Sequence, residues 1–264
     1  MNNISIKNSQ EIEKMRISGK LTAEVLEMIE HYLSPGITTS DIDNICYNYI
    51  INKQKAIPAC LGYNGFPKSI CTSVNNVVCH GIPNTSQILK KGDIINIDIS
   101  IIKNGYHGDS SKMFYIGDIS PVANKLCYTT QQSLYTAIKL IKPGIRLFKL
   151  GKKIQEYVEK RKFSVVREYC GHGIGKLFHE PPQILHYLGN DNGLTLKTGM
   201  TFTIEPMINA GNKEVVCEKD GWTIKTKDQS LSAQYEHTIL VTENGCEILT
   251  YQHKEKIQPV LINE

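Results

Sequence analysis

Residue pattern alone predicts an α+β protein of internally duplicated build, in which a helix pair followed by acid-bearing strands occurs twice. Three observations predict it. Pro35-Gly36-Ile37 and Pro143-Gly144-Ile145 each separate two helical patterns, at an offset of 108 residues. Alternating segments ending near Asp98 and Glu205 follow at an offset of 107. Each is succeeded by a further alternating segment with another acid, Asp109 in the first case and Glu236 in the second. Recurrence of helix pair and strand pair together marks one supersecondary unit used twice.

The helices follow from spacing and caps. Ser9 is the expected N-cap of a first helix with Ile12, Met15, Leu21, Val25, Ile29 and Leu33 on its apolar side, ended by Pro35-Gly36. A second helix begins in a Thr/Ser/Asp cap region, and Ile42, Ile45, Cys46, Tyr49 and Ile50 form one buried stripe. A third runs from Pro121 to Ile141, and a fourth carries Leu147, Leu150, Ile154, Tyr157 and Val158. Superposing the Pro-Gly-Ile triplets places Ile42 on Leu150, Cys46 on Ile154, Tyr49 on Tyr157 and Ile50 on Val158.

Strands follow from period-two alternation. Ile95, Ile97 and Ile99 share one face, and Asn96, Asp98 and Ser100 the other. Asn104-Gly105 is a hairpin turn signal, because both residues tolerate positive φ. The returning strand puts His107, Asp109 and Ser111 on one face. Two carboxylates brought together this way repel unless a proton or cation lies between them. In the second unit Thr201, Thr203 and Glu205 oppose Phe202 and Ile204, and a strand over 232–241 puts Gln234, Glu236 and Thr238 on one face. The long loop between these strands holds the only tryptophan, Trp222, beside Gly221, in a position typical of binding residues.

With 264 residues, 41% of them hydrophobic, the chain can bury one large core or two small ones. A net charge of +4 is too weak to argue for nucleic-acid binding. The densest basic group, Lys149, Lys152, Lys153, Lys160, Arg161 and Lys162, reads as a solvated helix face. The first residues show no apolar signal-peptide core, and no apolar run reaches membrane-spanning length, so the expectation is a cytosolic protein with no membrane partner. Eight cysteines without a Cys-x-x-Cys pair are expected as free thiols in a reducing compartment.

His172 lies in Cys170-Gly-His-Gly-Ile-Gly175 and is a candidate fifth ligand beside Asp98, Asp109, Glu205 and Glu236. Four carboxylates and a neutral imidazole carry a formal charge of −4, which two divalent cations cancel; dinuclear sites hold their ions roughly 3.5 to 4 Å apart. Imidazole suits Mn, Fe, Co or Zn better than calcium. A single acid is ordinarily just solvated, but four at duplicated strand positions are poorly explained that way. His80 and His179 stand at strand-to-loop transitions, where side chains face clefts. His107 and His237 neighbour candidate ligands and could orient them; His31, His186 and His253 read as incidental.

Together, His80-Gly81, Asp98, His107-Gly108-Asp109, Cys170-Gly-His-Gly-Ile-Gly175, His179-Glu-Pro-Pro182, Glu205-Pro-Met207 and Gln234-Tyr-Glu-His-Thr238 closely resemble the type I methionine aminopeptidases of the bacterial kind. The resemblance runs from the first helix to about Leu249, and no zinc-binding extension or long insertion of the other forms is seen. It implies the pita-bread (creatinase/aminopeptidase) fold: two pseudo-symmetric halves, roughly 10–118 and 120–250 of a single catalytic domain over 1–264, with a curved antiparallel sheet and outer helices.

The resemblance further implies two divalent metals (Co, Mn, Fe or Zn) held by Asp98, Asp109, His172, Glu205 and Glu236, with Asp109 and Glu236 bridging and a metal-held hydroxide attacking the first peptide bond. His179 would stabilise the oxyanion, Glu205 would shuttle the proton, and His80 would contact the amide or leaving nitrogen. Cys60, Tyr63, Phe66, Cys71, Phe178 and Trp222 match the family's methionine pocket, with Phe66 where a tyrosine is expected. Implied partners are the N-termini of nascent polypeptides, met by a cytoplasmic monomer near the ribosomal exit, with no specific nucleic-acid sequence. Two other classes share features with this sequence. Proline dipeptidases and X-Pro aminopeptidases use similar ligands but carry an extra N-terminal domain. Non-catalytic binding proteins of this fold lose metal ligands, all of which are present.

Overall fold

Capping chemistry sets the helix starts. Asn8 accepts the Glu11 N–H and Glu11 accepts the Asn8 N–H, so helix α1 spans Ser9–Ile29 with Asn8, one residue before the expected Ser9, as its cap. A short 3₁₀ turn, Glu30–Tyr32, then leads to Pro35. Thr38 and Asp41 make the same reciprocal cap on α2, Thr39–Asn48. Ser120 caps α3, Pro121–Ile138, which stops short of the expected Ile141, and α4 spans Phe148–Glu159. The computed structural model describes residues 4–189 and 194–255; the rest of the single unit expected over 1–264 lies outside the described residues.

The strands, in chain order, are β1 Ile57–Pro58, β2 Cys71–Val74, β3 Val77–Cys79, β4 Ile94–Lys103, β5 Tyr106–Tyr115, β6 Ser164–Val165, β7 Gly171–Gly173 and β8 Glu180–Ile184. They continue with β9 Thr201–Ile204, β10 Met207–Asn209, β11 Val215–Cys217, β12 Ile224–Thr226, β13 Ser232–Gln234, β14 His237–Val241 and β15 Cys246–Ile248. β4 is flanked by β5 on one side and by β1 and β2 on the other. β15-β14-β9-β7-β8 form the largest sheet of the second half, and β13-β10-β6 and β11-β12-β3 are smaller sheets. Every recorded pairing between these strands is antiparallel.

Alternation decides which face is covered. Ile95, Ile97, Ile99 and Ile101 are fully buried against Val25, Leu26 and Ile29 of α1, Ile42 and Cys46 of α2, and Ile50 of the π-helical turn Tyr49–Lys53 that follows it. In the other half Phe202, Ile204, Ile239 and Val241 pack on Leu126, Leu134 and Ile138 of α3 and Leu150, Ile154 and Val158 of α4. Each such side chain contributes about 1.5–3 kcal/mol by leaving water. Helices therefore cover one side of each strand set. The polar positions of β4, and those of β9, are left facing inward, the arrangement of the pita-bread fold.

The inner seam joins the halves. The Thr238 hydroxyl donates to Asp109 O at 2.7 Å and accepts the Asp109 N–H at 3.1 Å. Ser110 Oγ donates to Glu236 O at 2.6 Å, the Glu236 N–H to Ser111 O at 2.9 Å, and Asn96 Nδ2 to Gln234 O at 2.8 Å. These bonds correct the expectation of one continuous strand over 232–241: Tyr235 and Glu236 interrupt it, because the Glu236 backbone turns to bond β5. The long loop before it is also ordered, with β11 and β12 adding to β3.

Candidate metal centre and its cavity

Register places the acids of the hairpin. Asp98 pairs with Ser111 and Asp109 with Ser100, so the two carboxylates lie diagonally on the same inner face. Ser100 Oγ donates to Asp109 Oδ1 at 2.7 Å. His172 stands in β7, its N–H donating to Thr203 Oγ1 at 3.0 Å. Its Nδ1 lies 3.0 Å from Gly173 O, an acceptor, so Nδ1 carries the proton and Nε2 is left bare. Nε2 faces Asp109 Oδ2 at 3.5 Å and Glu205 Oε1 at 3.7 Å. The glycines beside His172 serve strand approach: a Cβ at Gly171 would strike Thr203 O, and one at Gly173 would strike Pro181 O.

Glu205 follows β9 and is held at three points. Thr203 Oγ1 donates to Oε1 at 2.7 Å, Gln234 Nε2 to Oε2 at 3.3 Å, and the Glu205 N–H donates to His186 Nε2 at 3.1 Å. His186, expected to be incidental, is thus in direct contact with a candidate ligand. His107 and His237 are turned elsewhere: His107 Nδ1 meets Gly175 O at 3.0 Å, and His237 bridges Thr250 at 3.0 Å and Glu255 at 3.2 Å.

Charge in this place is unbalanced. Asp109, His172 and Glu236 offer ligand atoms all within 4.8 Å of one another. Asp98 Oδ1 and Glu236 Oε1 are buried with no hydrogen-bond partner. Burial, reinforced by the charge of Asp109, drives the carboxyls of Asp98 and Glu236 well above the usual range, and burial pushes Glu205 up to about 7. Burial opposes protonation of His172, but the pull of Asp109 and Glu205 on a proton at Nε2 outweighs that and raises it; in the neutral form Nε2 is free for a metal. Orphaned carboxylate oxygens beside a bare imidazole nitrogen are the donor set a divalent transition metal requires, so the residues present fit such an ion.

These residues floor a cavity of about 360 Å³. All of Cys60, Tyr63, Phe66, Cys71, His80, Asp98, Asp109, His172, Phe178, His179, Glu205, Trp222 and Glu236 line it. Tyr63 meets Phe178 edge-on at 4.9 Å and stacks on His179 at 5.2 Å; Trp222 meets Phe66 at 5.1 Å and His80 at 6.1 Å. The His179 ring is 4.0 Å from that of His172. Burial lowers His80; at the cavity mouth partial desolvation and the neighbouring His172 take His179 down to about 4, so both rings are neutral at pH 7. Asn64, Glu168, Tyr169, Cys170 and Met207 also line the cavity without having been singled out. Cys170 and Met207 stand inside two of the motifs and Asn64 directly follows Tyr63, which was the available signal for them.

A carboxylate-rich centre with one imidazole, beneath an apolar cavity on a pita-bread fold, defines a metal-dependent hydrolase. Residues 13–243 match metallopeptidase family M24, and the chain belongs to that family. It is 65% identical over 258 residues to a methionine aminopeptidase of Buchnera aphidicola subsp. Acyrthosiphon pisum (strain APS), covering 98% of each chain. It is 59% identical over 261 residues to the methionine aminopeptidase of Escherichia coli (strain K12), covering 99% of each. In structure it is similar to the methionine aminopeptidase of Rickettsia prowazekii, with a TM-score of 0.92, 51% identity, and coverage of 94% of this chain and all of that one. Among the described residues no helix is long and apolar enough to cross a membrane.

Proposed function

We propose that this protein is a metal-dependent aminopeptidase that removes the N-terminal methionine from proteins and peptides. The observation that carries the reading is convergence: Asp98, Asp109, His172, Glu205 and Glu236 meet at the floor of the one cavity walled by Cys60, Tyr63, Phe66, Cys71, Phe178 and Trp222. The five floor residues would hold two divalent ions drawn from Co, Mn, Fe or Zn. Bound there, the ions supply Lewis acidity and bring the pKa of water to about 7.

The chain's own groups do the rest. Thiols and aromatic edges favour a thioether side chain, so the walls select methionine. The substrate's free α-amine binds near a metal or the acidic cluster, which confines cleavage to the first peptide bond. His179, its ring neutral at pH 7, donates to the carbonyl oxygen as negative charge develops there. Glu205, beside the ions, takes the proton from water and passes it to the leaving amine. His80 contacts the amide or leaving nitrogen. The chain works as one catalytic unit of two halves, 10–118 and 120–250, as a cytoplasmic monomer whose substrates include nascent polypeptides near the ribosomal exit.

The test is peptide hydrolysis by purified protein with metal supplied. Release of methionine from Met-Ala-Ser, none of proline-adjacent residues from Gly-Pro or X-Pro substrates, and loss of activity in a folded Asp98→Ala variant are expected. Wild-type turnover by Asp98→Ala, or preference for Gly-Pro, would overturn the reading.

A further inference from the structure

Lys7 stands apart from every motif named above, yet it is buried. Its ammonium lies 2.6 Å from Glu180 Oε2, with the two side chains 2% and 9% exposed. Backbone tethers hold both partners. The Lys7 N–H donates to Gly199 O at 2.8 Å, and the second Glu180 oxygen accepts the Leu177 N–H at 3.1 Å. Gly175 leaves the space the pair needs, since a Cβ there would stand 2.5 Å from Lys7 Cε and 2.7 Å from Glu180 Oε1.

Between Gly175 and Glu180 a short loop carries Phe178 and His179 into the cavity. Among the described residues His179 meets its neighbours through ring contacts alone, with Tyr63, His172 and Phe178. Ring contacts tolerate sliding, so the loop ends must set the height of the imidazole. One end is fixed where Gly175 O accepts the His107 N–H at 2.9 Å. The other is Glu180, the residue directly after His179.

We propose that Lys7 and Glu180 are a positioning pair for His179. A buried ion pair suits this task because either charge alone is strongly disfavoured, which leaves the loop one stable arrangement. The inference rests on the oxyanion role proposed for His179. Misplacing a catalytic group by about 1 Å can cost on the order of 100-fold in rate, so a modest loosening of this loop should be visible in kcat.

The experiment compares Lys7→Met, Glu180→Gln, His179→Ala and the Lys7→Met/His179→Ala double variant on Met-Ala-Ser, with Mn²⁺ affinity measured by calorimetry. Lys7→Met should lower kcat about 10- to 100-fold, with KM and Mn²⁺ affinity within about twofold of wild type. In the His179→Ala background the same change should alter kcat by less than about twofold, because nothing is left to position. Glu180→Gln keeps the Leu177 bond and should repeat the Lys7→Met result even if Lys7→Met fails to fold. An equal loss of kcat from Lys7→Met with and without His179 would overturn the proposal. So would wild-type kcat in both Lys7→Met and Glu180→Gln while His179→Ala is impaired. Wild-type kcat in His179→Ala itself would instead remove the role of that histidine, and the purpose of the pair with it.

Discussion

His186 shows how a single buried side chain holds a candidate metal ligand in place. Its Nε2 accepts the Glu205 N–H, so the ring proton sits on Nδ1, and burial takes its pKa down to about 3, which keeps the ring neutral and able to accept. Replacing it with leucine leaves a buried N–H without a partner, a loss of about 1–3 kcal/mol. His186→Leu is therefore expected to lower unfolding stability by that amount in urea titration and to weaken metal binding, whereas His186→Gln should recover part of both. Stability equal to wild type in His186→Leu would show that water or a shifted backbone satisfies Glu205 instead. Read in sequence, His186 looked incidental because its partner is a backbone amide 19 residues away, and no motif records such a contact.

Among the elements, the decisive one is the β4–β5 hairpin and its seam with β14. Isoleucine alternation anchors β4 against the helices and forces Asn96, Asp98 and Ser100 inward. Across the seam the Thr238 hydroxyl both donates to and accepts from the Asp109 backbone, while the Thr238 N–H is satisfied by Thr250 Oγ1 at 3.1 Å. Thr238→Val keeps the shape and removes the hydroxyl, stranding an N–H and a carbonyl of a candidate bridging ligand. The expected cost is about 1–3 kcal/mol per stranded group, read by denaturant unfolding, together with a fall in metal affinity that Thr238→Ser should largely reverse. If Thr238→Val bound metal as tightly as wild type, the seam would be structural glue with no part in spacing Asp109 from Glu236.

For the molecule as a whole, the crowding of carboxyls couples metal, pH and stability. Asp98 and Glu236 have folded-state pKa values raised well above their ordinary ones. For an acid shifted upward, the contribution to stability is complete below the unfolded pKa, about 4, and is lost as pH rises through the folded value. Metal binding needs the ionised forms and expels those protons. The rise in Tm on adding Mn²⁺ should thus grow from about pH 5.5 to about pH 8, measured by calorimetry at fixed free metal. A rise that stayed constant or shrank with pH would mean that the site is already ionised without metal.

Local pattern was enough to read much of this protein. Helix caps, the Pro-Gly-Ile breaks, the isoleucine alternation of β4 and the acids on its opposite face all depend on neighbours within a few residues, where periodicity of 3.6 or 2 speaks directly. The glycine-flanked His172 and the recurring offset then suggested which acids belong together. What the chain's local pattern left open was every contact made at long range: the break at Tyr235–Glu236, caused by bonds to β5; the hold of His186 on Glu205; the ordering of the Trp222 loop through β3; and the burial of Lys7 against Glu180. Those depend on which backbone groups remain unpaired once the halves have closed, and a buried donor or acceptor takes whichever partner the packed structure brings near. The same physics explains Gly171 and Gly173, which admit the carbonyls of neighbouring strands where a Cβ would strike them.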